Sequence, residues 1–232
     1  EDAGKLSQDH SEESGGASLV DLNRAGTPLL EIVTQPDFRS ADQAVAFCRV
    51  LRMICRSVGA TEGVMQRGHM RSEPNRNGEL PLAGGRTVRT PITEVKNLNA
   101  FRSVAGAIEH ELREQPGRWR TGGLEFGPGT KTTRGWDDDR GVTVVQREKE
   151  DAHDYRYFPD PDLPTLLIDD AWRDAAKADL PELPLERLRR WHESLALDPA
   201  DGMVLVEERA DADLFDGAVD EVVGAVHEDE GG

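Results

Sequence analysis

Cysteine is scarce in this chain: there are two in 232 residues, Cys48 and Cys55. They stand seven apart inside a helical pattern and share one face, with Cα atoms roughly 10 Å apart at the helical rise, too far to bridge. Both read as core packing. With no disulfide framework and no zinc spacing, the expected compartment is a reducing cytoplasm. Long apolar runs are also missing. The longest are a few residues, which excludes a helical membrane span, and Glu1-Asp2-Ala3-Gly4-Lys5 reads as neither a signal nor a transit peptide. A G-x-x-x-x-G-K loop is absent, which removes an independent P-loop nucleotide site. The chain opens without methionine and reads as a fragment.

What is present suits a soluble protein of one large or two modest domains: 37% hydrophobic and 31% charged residues allow a core of useful size. The net charge of −17 argues at first against a nucleic-acid partner, but it is unevenly spread. Residues 1–48 carry 3 Lys/Arg and 9 Asp/Glu, residues 49–156 carry 19 and 15, and residues 157–232 carry 6 and 21. A middle of +4 and a last third of −15 allow a polyanion to bind the middle while the acidic part stays solvated or faces a protein. A solubilising mixture of charges is the alternative.

Glu31 stands out. It sits in an apolar run with Leu29, Leu30, Ile32 and Val33, bounded by Pro28 and Pro36, that reads as a buried strand. An ionised carboxylate buried there costs several kcal/mol unless it is paired, hydrogen-bonded or bound to a metal. Either an ion pair, for example with Arg24, or a site is expected.

Ser40 as N-cap, then Ala44, Phe47, Cys48, Leu51, Ile54, Cys55 and Val58, with a stop at Gly59, predict a helix. A second helix starts near Asn99, buries Phe101, Val104, Ala105, Ile108 and Leu112, and ends before Pro116. Residues 87–95 read as extended, and a hairpin is expected where 135–137 and 142–145 flank Asp138-Asp139-Arg140-Gly141. Strands and helices mix without βαβ alternation, so the class is α+β. Past Pro164, helices are expected at 170–179, 185–196, 199–209 and 211–224, with Asp198-Pro199 as a cap and first-turn proline, and 227–232 as a frayed tail. The boundary falls near 165, between a first domain of residues 1–165 and helices of 166–226.

Chemistry concentrates in four places. Glu31 is one. Glu1-Asp2 with Lys5 offers carboxylates and a cation that suit magnesium and phosphate, or a charged surface loop. In Gly68-His69-Met70-Arg71-Ser72-Glu73-Pro74-Asn75 and Thr93-Glu94-Val95-Lys96-Asn97, alternation puts Arg71, Glu73 and Asn75 on one strand face and Glu94 with Lys96 on another. Such a face is either a site or simply solvated. Finally, Pro159, Pro161 and Pro164 stiffen a loop presenting His153, Asp154, Tyr155, Arg156 and Tyr157, suited to stacking on a base and gripping phosphate, or to packing beneath a loop.

Taken in order, E-D-A-G-K (1–5), S-L-V-D-L-N-R-A-G-T-P-L-L-E-I-V (18–33), T-E-V-K-N-L-N-A-F-R (93–102), T-R-G-W-D (133–137) and A-H-D-Y-R-Y-F-P-D-P-D-L-P (152–164) resemble the GatB family, one of the subunits of the bacterial-type aspartyl/glutamyl-tRNA amidotransferases. The resemblance runs to about residue 216. It implies a cradle-like α+β catalytic domain with a mixed or antiparallel sheet, then a small helical domain. It further implies a cytoplasmic heterotrimer with an amidase subunit (GatA) and a small stabilising subunit (GatC), acting on tRNA(Asn) or tRNA(Gln) charged with Asp or Glu. Neither DNA nor a membrane is an implied partner. In that family ATP and Mg²⁺ phosphorylate the side-chain carboxylate, and ammonia from glutamine displaces the phosphate. Carried over residue by residue, the resemblance makes Glu1 and Glu31 metal ligands, and places Glu73, Asn75 and Lys96 in the reaction. Lys5, Arg71, Arg134, Tyr155 and Arg156 are placed on substrate or nucleotide.

The chain departs from the family where Ser72-Glu73-Pro74-Asn75-Arg76-Asn77 stands in place of Cys-Asp-Ala-Asn-Val-Ser. Pro74 removes a ladder donor, and Arg76 replaces an apolar residue, so a distorted strand is expected. The family's N-terminal His/Glu metal motif and its tRNA-holding tail domain are not in the sequence, so these 232 residues alone are expected not to complete the reaction. A degenerate or accessory tRNA-binding module is the competing reading.

Overall fold

In the computed structural model, residues 5–8, 18–23, 26–148 and 164–229 are described, and the chain divides into two compact units, Glu1–Asp37 and Phe38–Gly232. In the first unit, β1 (Lys5–Gln8) and β2 (Ser18–Asp21) form an antiparallel pair with Lys5 opposite Asp21. The buried strand expected at 29–33 is not found. Those residues lie outside any strand, with Leu30 79% and Val33 82% exposed and Glu31 exposed beside them. A two-stranded hairpin is a small surface, unable to cover several more apolar side chains.

The second unit carries the regular structure. Helix α1 (Ala41–Ser57) starts as its sequence dictates, the Ser40 hydroxyl accepting from the Gln43 N–H. It stops where Gly59 turns into the left-handed region at φ +72°. Helix α2 (Phe101–Gly122) overrides the stop expected at Pro116 and ends only at Gly123, φ +68°, whose N–H bonds to the Trp119 carbonyl at 2.7 Å. A mid-helix proline costs about 3 kcal/mol. Buried residues in the turns before it, among them Glu111 and Gln115, hold the helix through that cost.

Strands β3 (Asn75–Arg76), β6 (Thr93–Lys96), β7 (Thr132–Asp137) and β8 (Val142–Glu148) form one sheet in the order β3-β6-β7-β8. β4 (Glu79–Pro81) and β5 (Thr87–Arg89) form a separate hairpin, so the segment expected to be extended over 87–95 is split between two sheets. β7 and β8 make the expected hairpin, Asp137 opposite Val142, with Gly141 at φ +63° in the turn. β6 and β7 are parallel, with α2 as their crossover, so one βαβ unit is present where the sequence pattern led us to expect none. The α+β class with a mixed sheet holds.

Helices α3 (Asp170–Ala178), α4 (Pro184–Leu195), α5 (Pro199–Val206) and α6 (Arg209–Asp229) follow. Asp198 caps α5 through the Ala200 N–H at 2.8 Å, with Pro199 in the first turn. α5 ends three residues and α6 begins two residues earlier than the sequence pattern implied, and α6 remains helical to Asp229 through the start of the expected tail. Among the described residues no helix is long and apolar enough to cross a membrane.

Two apolar cores sit on either side of α1. Met65, Val95, Leu98, Val104 and Ala107 join the sheet to α2, with Val45 of α1 packed on them. Met53 of α1 joins Trp191, Val206 and Ala212 of the later helices. Helices beyond residue 165 therefore share a core with α1, while the segment next to that expected boundary, 149–163, lies outside the described residues.

Candidate functional site

Period-two alternation in β6 assigns its side chains to opposite faces of the sheet. Val95 enters the core with Val104 and Ala107 of α2, and Thr93 accepts from the buried amide of Gln115 at 3.0 Å. Glu94 and Lys96 therefore look the other way. Lys96 Nζ lies 3.3 Å from Glu73 Oε2 and 3.4 Å from Glu94 Oε1. Glu94 Oε2 lies 3.0 Å from Lys131 Nζ and accepts from Thr133 Oγ1 at 3.4 Å. Four charges thus alternate in sign along one sheet face, from Glu73 through Lys96 and Glu94 to Lys131. The carboxylate in the middle is buried, the Glu94 side chain being 9% exposed, while Lys96 and Lys131 keep 33% and 36%. Burial works against the Lys96 ammonium, but Glu73 and Glu94 outweigh it and raise its pKa above the ordinary lysine range.

Asn75 is opposite Glu94 in the β3–β6 pair, and its side-chain amide donates to the Glu73 carbonyl at 3.2 Å. Sequence alternation expected Arg71, Glu73 and Asn75 on a single strand. Only Asn75 is in one, because Pro74 cannot donate to the ladder. Its carbonyl still accepts the Val95 N–H at 3.0 Å, which keeps Glu73 beside Lys96. Arg71 is exposed and outside any strand.

Two local features open this face. Asn97 follows Lys96 at φ +63°, a left-handed conformation that asparagine tolerates better than most residues. Gly135 pairs with Lys96 across β6–β7, and a Cβ there would come within 2.5 Å of Gln146 Nε2 and 3.1 Å of Asn97 Nδ2. Gln146 is the residue that β8 skips, since Thr133 pairs with Arg147 and Arg134 with Val145. The bulge and the glycine together bring two amides against the sheet next to Lys96.

Arg134 goes to the other face of the sheet. Its Nε donates to Thr143 Oγ1 at 2.7 Å, its Nη2 to the Thr143 carbonyl at 2.8 Å, and Nε lies 3.4 Å from Glu111 Oε1. Glu111, on α2, is fully buried, accepts from Thr143 Oγ1 at 2.6 Å and is paired with Arg118. Gln115, one turn on, bonds Arg76, Thr90 and Thr93. The Arg76 that stands in place of an apolar residue is thus part of this network, its Nη1 also donating to the Glu111 carbonyl at 3.2 Å. Burial lowers the pKa of both Arg76 and Arg134 below the ordinary arginine range, with neighbouring Arg118 adding to the effect. Sequence reading missed Glu111 although the signal was present: an acid at a core position of the helical pattern Val104, Ala107, Glu111, Gln115.

Lys5 lies in β1 of the first unit, as described above, and Glu31 is exposed in that unit. Glu1, Tyr155, Arg156 and the Arg24 suggested as a partner for Glu31 lie outside the described residues. Among the described residues, no three His, Cys, Asp or Glu side chains converge as a metal shell.

The family model described as the GatB/GatE catalytic domain matches residues 1–174. Over 216 residues the chain is 42% identical to the GatB subunit of the aspartyl/glutamyl-tRNA(Asn/Gln) amidotransferase of Caldicellulosiruptor saccharolyticus, covering 93% of this chain and 43% of that protein. It is 45% identical to the corresponding subunit from Sinorhizobium fredii over 216 residues, covering 93% and 41%, and 44% identical to that from Myxococcus xanthus over 217 residues, covering 93% and 43%. The chain spans less than half the length of these curated relatives.

Proposed function

The chain belongs to the GatB/GatE catalytic-domain family, and from that premise we propose that it forms part of a tRNA-dependent amidotransferase that activates the side-chain carboxylate of Asp or Glu carried on tRNA(Asn) or tRNA(Gln). A carboxylate resists attack by ammonia until one of its oxygens becomes a leaving group. In the proposed reaction a carboxylate oxygen attacks the terminal phosphorus of ATP and ADP departs. Ammonia, supplied by an amidase partner, then adds to the acyl carbon, and inorganic phosphate leaves with the former carboxylate oxygen. A small third subunit completes the proposed cytoplasmic assembly.

The observation that carries the reading is the alternating face of Glu73, Lys96, Glu94 and Lys131 on the parallel β6–β7 pair. Acyl phosphate formation needs charge neutralisation and positioning. Lys96, held protonated by two carboxylates, supplies a fixed positive charge, and Asn75 and Asn97 supply amides on the same end of the strand. Magnesium enters the proposal through Glu1 and Glu31, where it would add to the neutralisation of phosphate charge.

The test uses the assembled enzyme with tRNA carrying aspartate labelled with ¹⁸O in its side chain. Transfer of one ¹⁸O into inorganic phosphate, dependent on ATP and lost in Lys96→Ala, is the expected result. Binding of tRNA without any ATP turnover would instead establish an accessory RNA-binding module.

A further inference from the structure

Lys131 belongs to no motif that the sequence singled out, yet its backbone is fixed where it reaches the open sheet face. The turn before it is closed by three bonds between Gly127 and Thr130: Thr130 N to the Gly127 carbonyl at 3.3 Å, Gly127 N to Thr130 Oγ1 at 3.1 Å, and Thr130 Oγ1 to the Gly127 carbonyl at 2.8 Å. The residue after it is pinned to β6, Thr132 N donating to the Ile92 carbonyl at 3.0 Å. A surface lysine is ordinarily a flexible tether with a solvated head; here both ends of its backbone are fixed.

Its ammonium shares a carboxylate with Lys96. Glu94 presents Oε1 to Lys96 and Oε2 to Lys131, so two cations flank one largely buried anion. An ammonium has three donors. Lys131 places one on Glu94 and keeps about a third of its side chain exposed, leaving donors for a ligand that arrives from the open side. The matching ligand is an oxyanion: Glu73 and Glu94 balance the formal charge of the two ammonium groups, so the ligand is held by the ammonium donors directed to the open side rather than by a net positive charge.

We propose that Lys131 is a second anion-binding residue of this face, gripping phosphate oxygens of the nucleotide together with Lys96, and that Glu94 is the positioning carboxylate that fixes the spacing of the two ammonium groups. The identity of the anion as a nucleotide phosphate rests on the function proposed above; the two-lysine grip itself does not.

The test has two arms. In the assembled enzyme, Lys131→Gln is expected to raise KM for ATP about tenfold, the loss of one charge-assisted contact. Lys131→Arg should bring KM back to within threefold, and KM for the aminoacyl-tRNA should move by less than twofold. A rise in KM for the tRNA instead of ATP would assign the grip to the substrate carboxylate and overturn the nucleotide assignment. A fall in kcat and thermal stability with no change in either KM would reduce Lys131 to a structural ion pair. In the 232-residue chain alone, with lysines carrying ¹³C-methyl labels, inorganic pyrophosphate is expected to shift the NMR signals of Lys96 and Lys131 together. Glu94→Gln should lower the Lys96 titration and uncouple the two lysines, so that pyrophosphate no longer shifts both signals together. No pyrophosphate-dependent shift at Lys131 would sink the grip whatever the enzyme does. A shift at both lysines in a protein that never turns over ATP would leave the grip standing and remove the proposed reaction.

Discussion

Replacing Glu111 by glutamine tests the buried network most directly. Its carboxylate is fully buried on α2 between Arg118 and Arg134, and it accepts from Thr143 and Gln115. Removing one partner of a buried ion pair typically costs roughly 3–5 kcal/mol, because the other charge is left without compensation. Here the full figure is not expected. Glutamine keeps the shape and still accepts from Thr143, and the Arg118 side chain, 37% exposed, can turn to water. Arg134, 15% exposed and tied to β8 by two bonds to Thr143, cannot follow. We expect a loss of about 2–3 kcal/mol, the cost of one stranded guanidinium. Urea unfolding followed by far-ultraviolet circular dichroism measures it, with the denaturant slope unchanged. A loss below about 0.5 kcal/mol, the range of ordinary surface substitutions, would refute the argument that this carboxylate holds α2 to the sheet.

Three further outcomes are expected. Arg134→Gln should cost about 1–3 kcal/mol of stability through its lost bonds to Thr143 and Glu111 while the chain still binds pyrophosphate, a comparison made by urea titration and NMR. Pro116→Ala should stabilise α2 by about 1–2 kcal/mol, because it restores a backbone donor at some cost in unfolded-chain entropy; the urea midpoint reports it. Acid should loosen the later helices: hydrogen bonds from Arg190 hold Glu182 below the usual carboxylate range, and although burial pushes Asp216 up, bonds from Arg190 and Trp191 outweigh it and leave it lowered too. With both folded-state values depressed, their contribution is present above the ordinary carboxylate range near pH 4 and is lost as pH falls through the folded values. Tryptophan fluorescence over pH 2–6 should show that transition, and Asp216→Asn should diminish it.

Local signals were legible wherever neighbouring residues decide the outcome. Ser40, Gly59, Asp198 and the 138–141 turn act within a few residues of themselves, and each stands where its chemistry put it. Pro116 shows the limit: its local cost is real, but Glu111 and Gln115 anchor the helix to β6, β7 and β8 from residues far away in sequence. Lys96 and Glu94 shared a face as alternation required, yet nothing local could reveal Lys131, brought there by a parallel pairing that spans all of α2. The face that Arg134 takes is hidden for the same reason. Its motif is visible, but which face it takes depends on the strand phase, and Thr133 rather than Arg134 faces Glu94. Glu31 was expected to be buried because its neighbours are apolar, but hydrophobicity says only that burial is favourable, not that a surface is at hand to provide it.

The strict two-sidedness of β6 and β7 constrains how such a chain can vary in length. One extra residue between Thr132 and Thr133 would carry Arg134 to the open side and press Thr133 and Gly135 against α2. The hairpin of β4 and β5 and the stretch 123–126, which feed those strands from outside, carry no such phase. Lengthening or shortening there leaves each side chain on its own side of the sheet. Insertions and deletions among related chains should therefore gather in these feeder segments and be missing from 93–96 and 132–136, where a single codon gained or lost turns the floor of the site inside out.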